Sequence, residues 1–229
     1  MQLPVSAPGA PTFLRLLARA SGTPAKAPAL PLARQLGEWI DWTRAVTLSR
    51  ALDGEVQPAE SGATPDQDTL LEDCARIRAE LEESINKGPA PARASAGFTP
   101  WQQHIVAMQR AMQTATGYLR GDLRELLAAG SPAQARLAEV DAAMEAALSP
   151  REHALLQPVT AALGTRFEQL EKNAAAGPAP DAALPAPDSE AEPPAWVTAF
   201  RHELRDLLLA ELDLRFHPVE GLLAALRSA

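Results

Sequence analysis

Apolar residues return every three or four positions along most of this chain, the spacing that lays one face of an α-helix against a core. Leu70, Cys74, Ile77, Leu81 and Ile85 form one such stripe, ending before Gly88-Pro89. Trp101, Ile105, Met108, Met112, Ala115, Leu119, Leu123 and Leu126 form a second, which predicts a long helix from Pro100 to Gly130. Leu137, Val140, Met144 and Leu148 mark a third, and Leu156, Val159, Leu163, Phe167 and Leu170 a fourth. Upstream, Leu32 to Asp53 reads as one helix between Pro31 and Gly54. It offers Leu36, Trp39, Ile40, Val46 and Leu52 for burial and leaves Trp42 off the stripe, free for a second contact. The run TFLRLLARA, starting at Thr12, supplies a short helix near the N-terminus.

A local device punctuates these segments: a hydroxyl residue, then Pro, then Gln or Glu at the third position. It recurs at Thr64-Pro65-Asp66-Gln67, Thr99-Pro100-Trp101-Gln102, Ser131-Pro132-Ala133-Gln134 and Ser149-Pro150-Arg151-Glu152. Each reads as a capping box, in which the hydroxyl accepts an orphan N–H and Pro occupies a position whose N–H goes unused. The connections at Gly130-Ser131 and Ser149 are short enough to force antiparallel hairpins or, at Ser149-Pro150, one kinked helix. Gly117 and Gly121 weaken their helix by about 1 kcal/mol each relative to Ala, so a close helix crossing is expected there.

Residues 54–63 and the acidic Pro/Ala stretch 174–193 carry too little apolar area to offset chain entropy and read as linkers. Beyond the second, Trp196, Val197, Phe200, Leu204, Leu207, Leu208 and Leu212 lie on a helix that His217-Pro218 ends. A short helix, Val219 to Arg227, then displays Leu222, Leu223 and Leu226. The expected organisation is a flexible N-terminal region with one short helix (1–31), a helical bundle core (32–173), the linker (174–193) and C-terminal docking helices (194–229). The fold class is all-α, a bundle or elongated helical hairpins with a tethered C-terminal helix pair. So much apolar surface needs a cover. Trp196, Val197, Phe200, Leu204, Leu207, Leu208, Leu222 and Leu223 are therefore the candidate interaction residues, docking on the body, on a second copy or on a partner protein.

Composition agrees with the pattern. The hydrophobic share is 46% but aromatics are only 4%, so the core must be built mainly of Ala and Leu, good helix formers. The net charge of −8 repels phosphate backbones and anionic headgroups, which excludes nucleic acid as a primary partner. Residues 1–37 are a basic exception, with Arg15, Arg19, Lys26 and Arg34 and no acid. Their short helix is either a peripheral membrane anchor or, the preferred reading, a helix docked on the core. No stretch approaches the roughly 18 apolar residues of a transmembrane helix. A cytoplasmic protein is expected. Cys74, the single cysteine, excludes an intramolecular disulfide and a CxxC pair, and its place on an apolar stripe makes it a small buried hydrophobe.

No catalytic constellation emerges. His104, His153, His202 and His217 are scattered, and none has Glu three residues earlier, as di-iron bundles require. No HExxH, P-loop, GxGxxG or GxSxG is present. The nearest approaches to metal pairs, Asp213 with His217 and His202 with Asp206, read as surface ion pairs. Trp39, Trp101 and Trp196 read as core fillers in an Ala-rich bundle. No cofactor, metal or catalytic residue is expected.

GEWIDWTRAVTLSRALDG at Gly37 to Gly54, TPWQQHIVAMQRAMQ at Thr99 to Gln113 and AELDLRFHPVEGLLAALRS at Ala210 to Ser228 resemble a bacterial family, "domain of unknown function 3348". The resemblance implies a proteobacterial cytosolic protein whose genes sit near those of flagellar-stator and outer-membrane-protein-A-like envelope components. It carries over no activity and no site. The leading functional reading is a non-catalytic interaction or adaptor protein, linked to an envelope-associated assembly. The alternatives are a phasin-like amphipathic binder of membrane or granule surfaces, using residues 13–20 or 196–226, and an enzyme with an unrecognised polar pocket.

Overall fold

Apolar stripes on helices joined by short connections have one economical solution, which is to bury each other. In the computed structural model the described residues are 12–22, 32–54, 66–89, 97–176 and 193–227. They form α1 (Thr12–Ser21), α2 (Leu32–Trp39), α3 (Trp42–Asp53), α4 (Gln67–Lys87), α5 (Thr99–Ala128), α6 (Pro132–Ala176) and α7 (Ala195–Arg227), with no strand among them. The fold is thus all-α. α7 is the central stave, in contact with α1, α4, α5 and α6. α5 and α6 pack along each other, α4 lies against α5, and α2 and α3 cover α6.

The α4 and α5 stripes fold as their spacing predicts. Leu70, Cys74, Leu81 and Ile85 are buried on α4, which Gly88 ends in the left-handed region at φ 64°. On α5, Trp101, Ile105, Met112, Leu119 and Leu123 are buried, and the stripe then steps to Leu127 in place of Leu126. α1 turns Phe13, Ala18 and Ala20 inward against α6 and α7, so it is docked on the core.

Among the described residues the capping device forms at Ser131. Ser131 N–H donates to Gln134 Oε1 at 2.8 Å and Gln134 N–H to Ser131 Oγ at 3.4 Å, the reciprocal pair of a capping box. At α4 the cap is Asp66, whose carboxylate accepts from Thr69 N–H at 3.1 Å; Thr64 and Pro65 lie outside the described residues. At α5 Thr99 is already helical and Phe98 holds the cap position without a side-chain bond. The Phe98 ring packs instead against Phe167 and Phe200, and aromatic burial fixes the chain's entry.

Two expected helix boundaries are absent. Ser149-Pro150 starts no helix, because α6 continues through Pro150 and Pro158, as the one-helix alternative has it. His217-Pro218 ends no helix either, because α7 runs on to Arg227, so the expected C-terminal pair is a single helix. An interior Pro costs a helix on the order of 3 kcal/mol. Here Leu212, Phe216, Val219, Leu222 and Leu226 stay buried on both sides of Pro218, and each large side chain returns about 1.5–3 kcal/mol.

Conversely, the helix predicted from Leu32 to Asp53 is broken at Ile40 and Asp41. The Asp41 carboxylate accepts from Arg44 N–H at 2.9 Å and pairs with the Arg44 guanidinium at 3.0 Å, starting α3 afresh. Of α3 only Ala51 is fully buried, while Leu52 is exposed and Val46 half-buried. In the first half of α6 the buried positions are Ala135, Ala138, Ala143 and Ala147. Leu137, exposed, and Val140, Met144 and Leu148, half-buried, flank that seam, because closely approaching helices select the smallest side chains for the contact line. The close crossing expected at Gly117 and Gly121 is not there, since a Cβ at either would meet nothing within 4 Å. Gly164 makes the close approach instead, where a Cβ would lie 3.1 Å from the Phe98 ring.

Candidate functional site

α7 carries the residues singled out in the sequence, and the bundle closes around them. Val197, Phe200, Leu204, Leu207, Leu208 and Leu222 are buried in the common core, and Trp196 and Leu223 pack at its edge. Phe200 meets Trp101 edge-on at 5.2 Å between ring centroids, and Phe167 edge-on at the same distance. Phe167 in turn meets Trp196 at 5.1 Å. Six of the eight candidate interaction residues are therefore buried by their own chain, while Trp196 and Leu223 are half-buried.

Charged clasps bracket this apolar face. Arg166 of α6 grips Glu203 of α7 through two bonds of 2.9 and 2.7 Å, and that hydrogen bonding raises the arginine's pKa against the opposing effect of burial. Arg78 of α4 bonds Glu82, Glu220 at 2.7 Å and Asp213, and lies 5.3 Å above the Phe216 ring. Burial pulls the Arg78 pKa down, but the Glu82 bond and the charges of Asp213 and Glu220 outweigh it and raise it. Arg215 donates to Glu211 and, at 2.9 Å, to Glu152 of α6. Glu211 is completely buried and also accepts from Gln109 of α5 at 3.0 Å, so this carboxylate is fully partnered.

Sequence reasoning missed Glu211 and also a four-membered network on the α5–α6 hairpin. Arg120 and Arg124 pair with Asp141 and Glu145, Arg120 through two bonds of 3.2 and 2.7 Å to Asp141. Its signal was present in two i,i+4 pairs of opposite sign on either side of the Gly130-Ser131 connection. For Glu211 no signal exists, because nothing local distinguishes it from a solvated acid.

The chemistry available is sparse. Among the described residues no group of three or more His, Cys, Asp and Glu side chains is placed to hold a metal. Asp213 and Asp206 are engaged by Arg78 and Arg205. Cys74 is buried, and burial, then the charges of Asp73 and Asp122, push its thiol pKa up, away from reactive thiolate. His104 keeps a buried Nε2 without a hydrogen-bond partner, and burial pushes its pKa down. No described helix is long and apolar enough to cross a membrane.

What remains for an outside molecule is surface. Trp42 is 83% exposed at the start of α3, and Leu52 is 50% exposed on the same helix. A groove of about 1020 Å³ runs between α4 and α5, lined by Leu81 of α4 and by Val106, Ala107 and Ala111 of α5. These features define an all-α bundle protein with its C-terminal helix built into the core. Its sequence belongs to the family described as protein of unknown function (DUF3348), whose model matches residues 1–228. No curated protein and no solved structure matches it.

Proposed function

We propose that this chain is a non-catalytic helical interaction protein of the bacterial cytoplasm, an adaptor in an envelope-associated assembly. Trp42 carries this reading. It stands nine residues before Ala51, half a helical turn away in projection, and so points away from the side of α3 that Ala51 buries. Folding does not use it. An exposed Trp is the side chain that most often anchors a protein contact, where truncation costs about 2 kcal/mol or more. The C-terminal helix, spent on the chain's own core, leaves the outer helices as the docking elements.

The test is Trp42→Ala, with wild type and variant captured side by side from a native host after cross-linking. Recovery of a discrete protein partner should fall at least about tenfold while the thermal midpoint stays put. Equal recovery by both proteins, or a loss matched by unfolding, would falsify the reading.

A further inference from the structure

The α4–α5 groove has a floor of small residues, Ala107, Ala111 and Ala115, between Ile77 and Leu81 on one wall and Val106 on the other. Val106 is 51% exposed. Tyr118, 72% exposed, continues the line of Ala107, Ala111 and Ala115 along α5 at helical spacing. An alanine floor admits another helix at the short end of the usual 8–10 Å interaxial range. Apolar floor and exposed aromatic together mark a contact face.

Charge says which molecule fits. The chain carries −8, so two copies repel through most of their surfaces. The groove lining holds one acid, Glu80 on α4, and one base, Arg110 on α5, and is neutral. Among the described residues Arg110 makes no ion pair, whereas Glu80 is held by Arg76 at 2.9 Å through one carboxylate oxygen, leaving the other available. A two-fold axis through the groove exchanges the walls, so that each copy's Arg110 faces the other copy's Glu80. A face with one acid and one base on opposite walls is complementary to itself.

We propose that the groove is an isologous dimer interface, in which α5 of a second copy lies antiparallel against α4 and α5 with Arg110 paired to Glu80 across the dyad. The proposal rests on the reading of the chain as an interaction protein, but on a face separate from Trp42.

Sedimentation velocity on the full chain, over concentrations up to about 100 µM, tests it. Wild type should show a concentration-dependent dimer. Arg110→Glu and Glu80→Arg should each weaken it on the order of tenfold, and the double reversal should restore it. Both side chains are exposed, so circular dichroism should match wild type, and thermal midpoints should move only by the small cost of losing the Arg76–Glu80 pair in Glu80→Arg. A chain that stays monomeric overturns the dimer, and so does a dimer that ignores both reversals or is not rescued by the double one. Val106→Glu separates the remaining occupants. If it lowers the thermal midpoint of a monomer, the groove is covered by the same chain and the dimer is overturned. If only a different protein is lost, the dimer is overturned while the adaptor reading survives, to be judged by Trp42 alone.

Discussion

Single side chains in this bundle are decided by what they meet across space. His104 is the clearest case, an ordinary helical residue in sequence whose Nε2 ends up buried and unpartnered. Burial lowers its pKa below the ordinary imidazole value of 6.5, so the folded chain resists a proton that the unfolded chain accepts. Below pH 6.5 the unfolded state binds more protons at this site, and stability falls with pH until the folded ring is protonated too. Above 6.5 the site contributes no slope. Denaturant midpoints of wild type and His104→Phe, compared between pH 7.5 and about 5, should therefore diverge, the variant losing less stability as pH falls. Parallel curves would show that the ring is solvated after all. Glu211 makes the same point with the opposite outcome, because its burial is matched by Gln109 and Arg215.

At the scale of elements, periodicity was legible and termination was not. The α4 and α5 stripes, and the Leu156 to Leu170 stripe of α6, are buried or packed on the core as spacing predicts. Helix ends depend on competition between local chemistry and burial. Pro218 and Pro150 lose that competition to long continuous faces, while Asp41 wins it at the head of α3, where Ala51 is the one deeply buried residue. Glycine shows the same limit of local reading. Gly117 and Gly121 look like a packing site but face open space, whereas Gly164, unremarked in the sequence, accommodates the Phe98 ring. Gly117→Ala and Gly121→Ala should each stabilise the chain by about 0.5–1 kcal/mol, through helix propensity alone. Gly164→Ala should gain nothing or lose, since its Cβ would press on Phe98 at 3.1 Å. Urea titration of the three variants measures the difference, and equal effects would mean that the Phe98 contact is not formed.

For the whole molecule the decisive fact is that α7 is a stave and not an appendage. Removing it would uncover Trp101 and Phe167, which pack on Phe200, and strip Arg166 of Glu203 and Arg78 of Glu220 and Asp213. A chain cut after residue 192 should lose its cooperative thermal transition and near-ultraviolet circular dichroism, and should bind hydrophobic dyes. Retention of a cooperative transition by the truncated chain would make α7 a dispensable tail. Of the apolar residues read as a C-terminal docking element, Val197, Phe200, Leu204, Leu207, Leu208 and Leu222 are all deeply covered within the chain itself. Where the cover comes from lay beyond the sequence. The candidate surface at Trp42 was half legible, as an aromatic off the main stripe, and the α4–α5 groove was not legible at all.

The sequence by itself determined the all-α class, the buried stripes of α4 and α5, the Ser131 capping box and the apolar character of the C-terminal helix. All of these follow from interactions within about four residues, which one helical repeat encodes directly. Tertiary structure alone decided that α7 runs unbroken through Pro218, that alanines rather than leucines line the first half of α6, and that Glu211 is buried. It also decided that Trp42, Val106 and Tyr118 are left to solvent. Each of these depends on which helix faces which, and that choice is made by the summed burial of residues far apart in the chain, a quantity no local window contains.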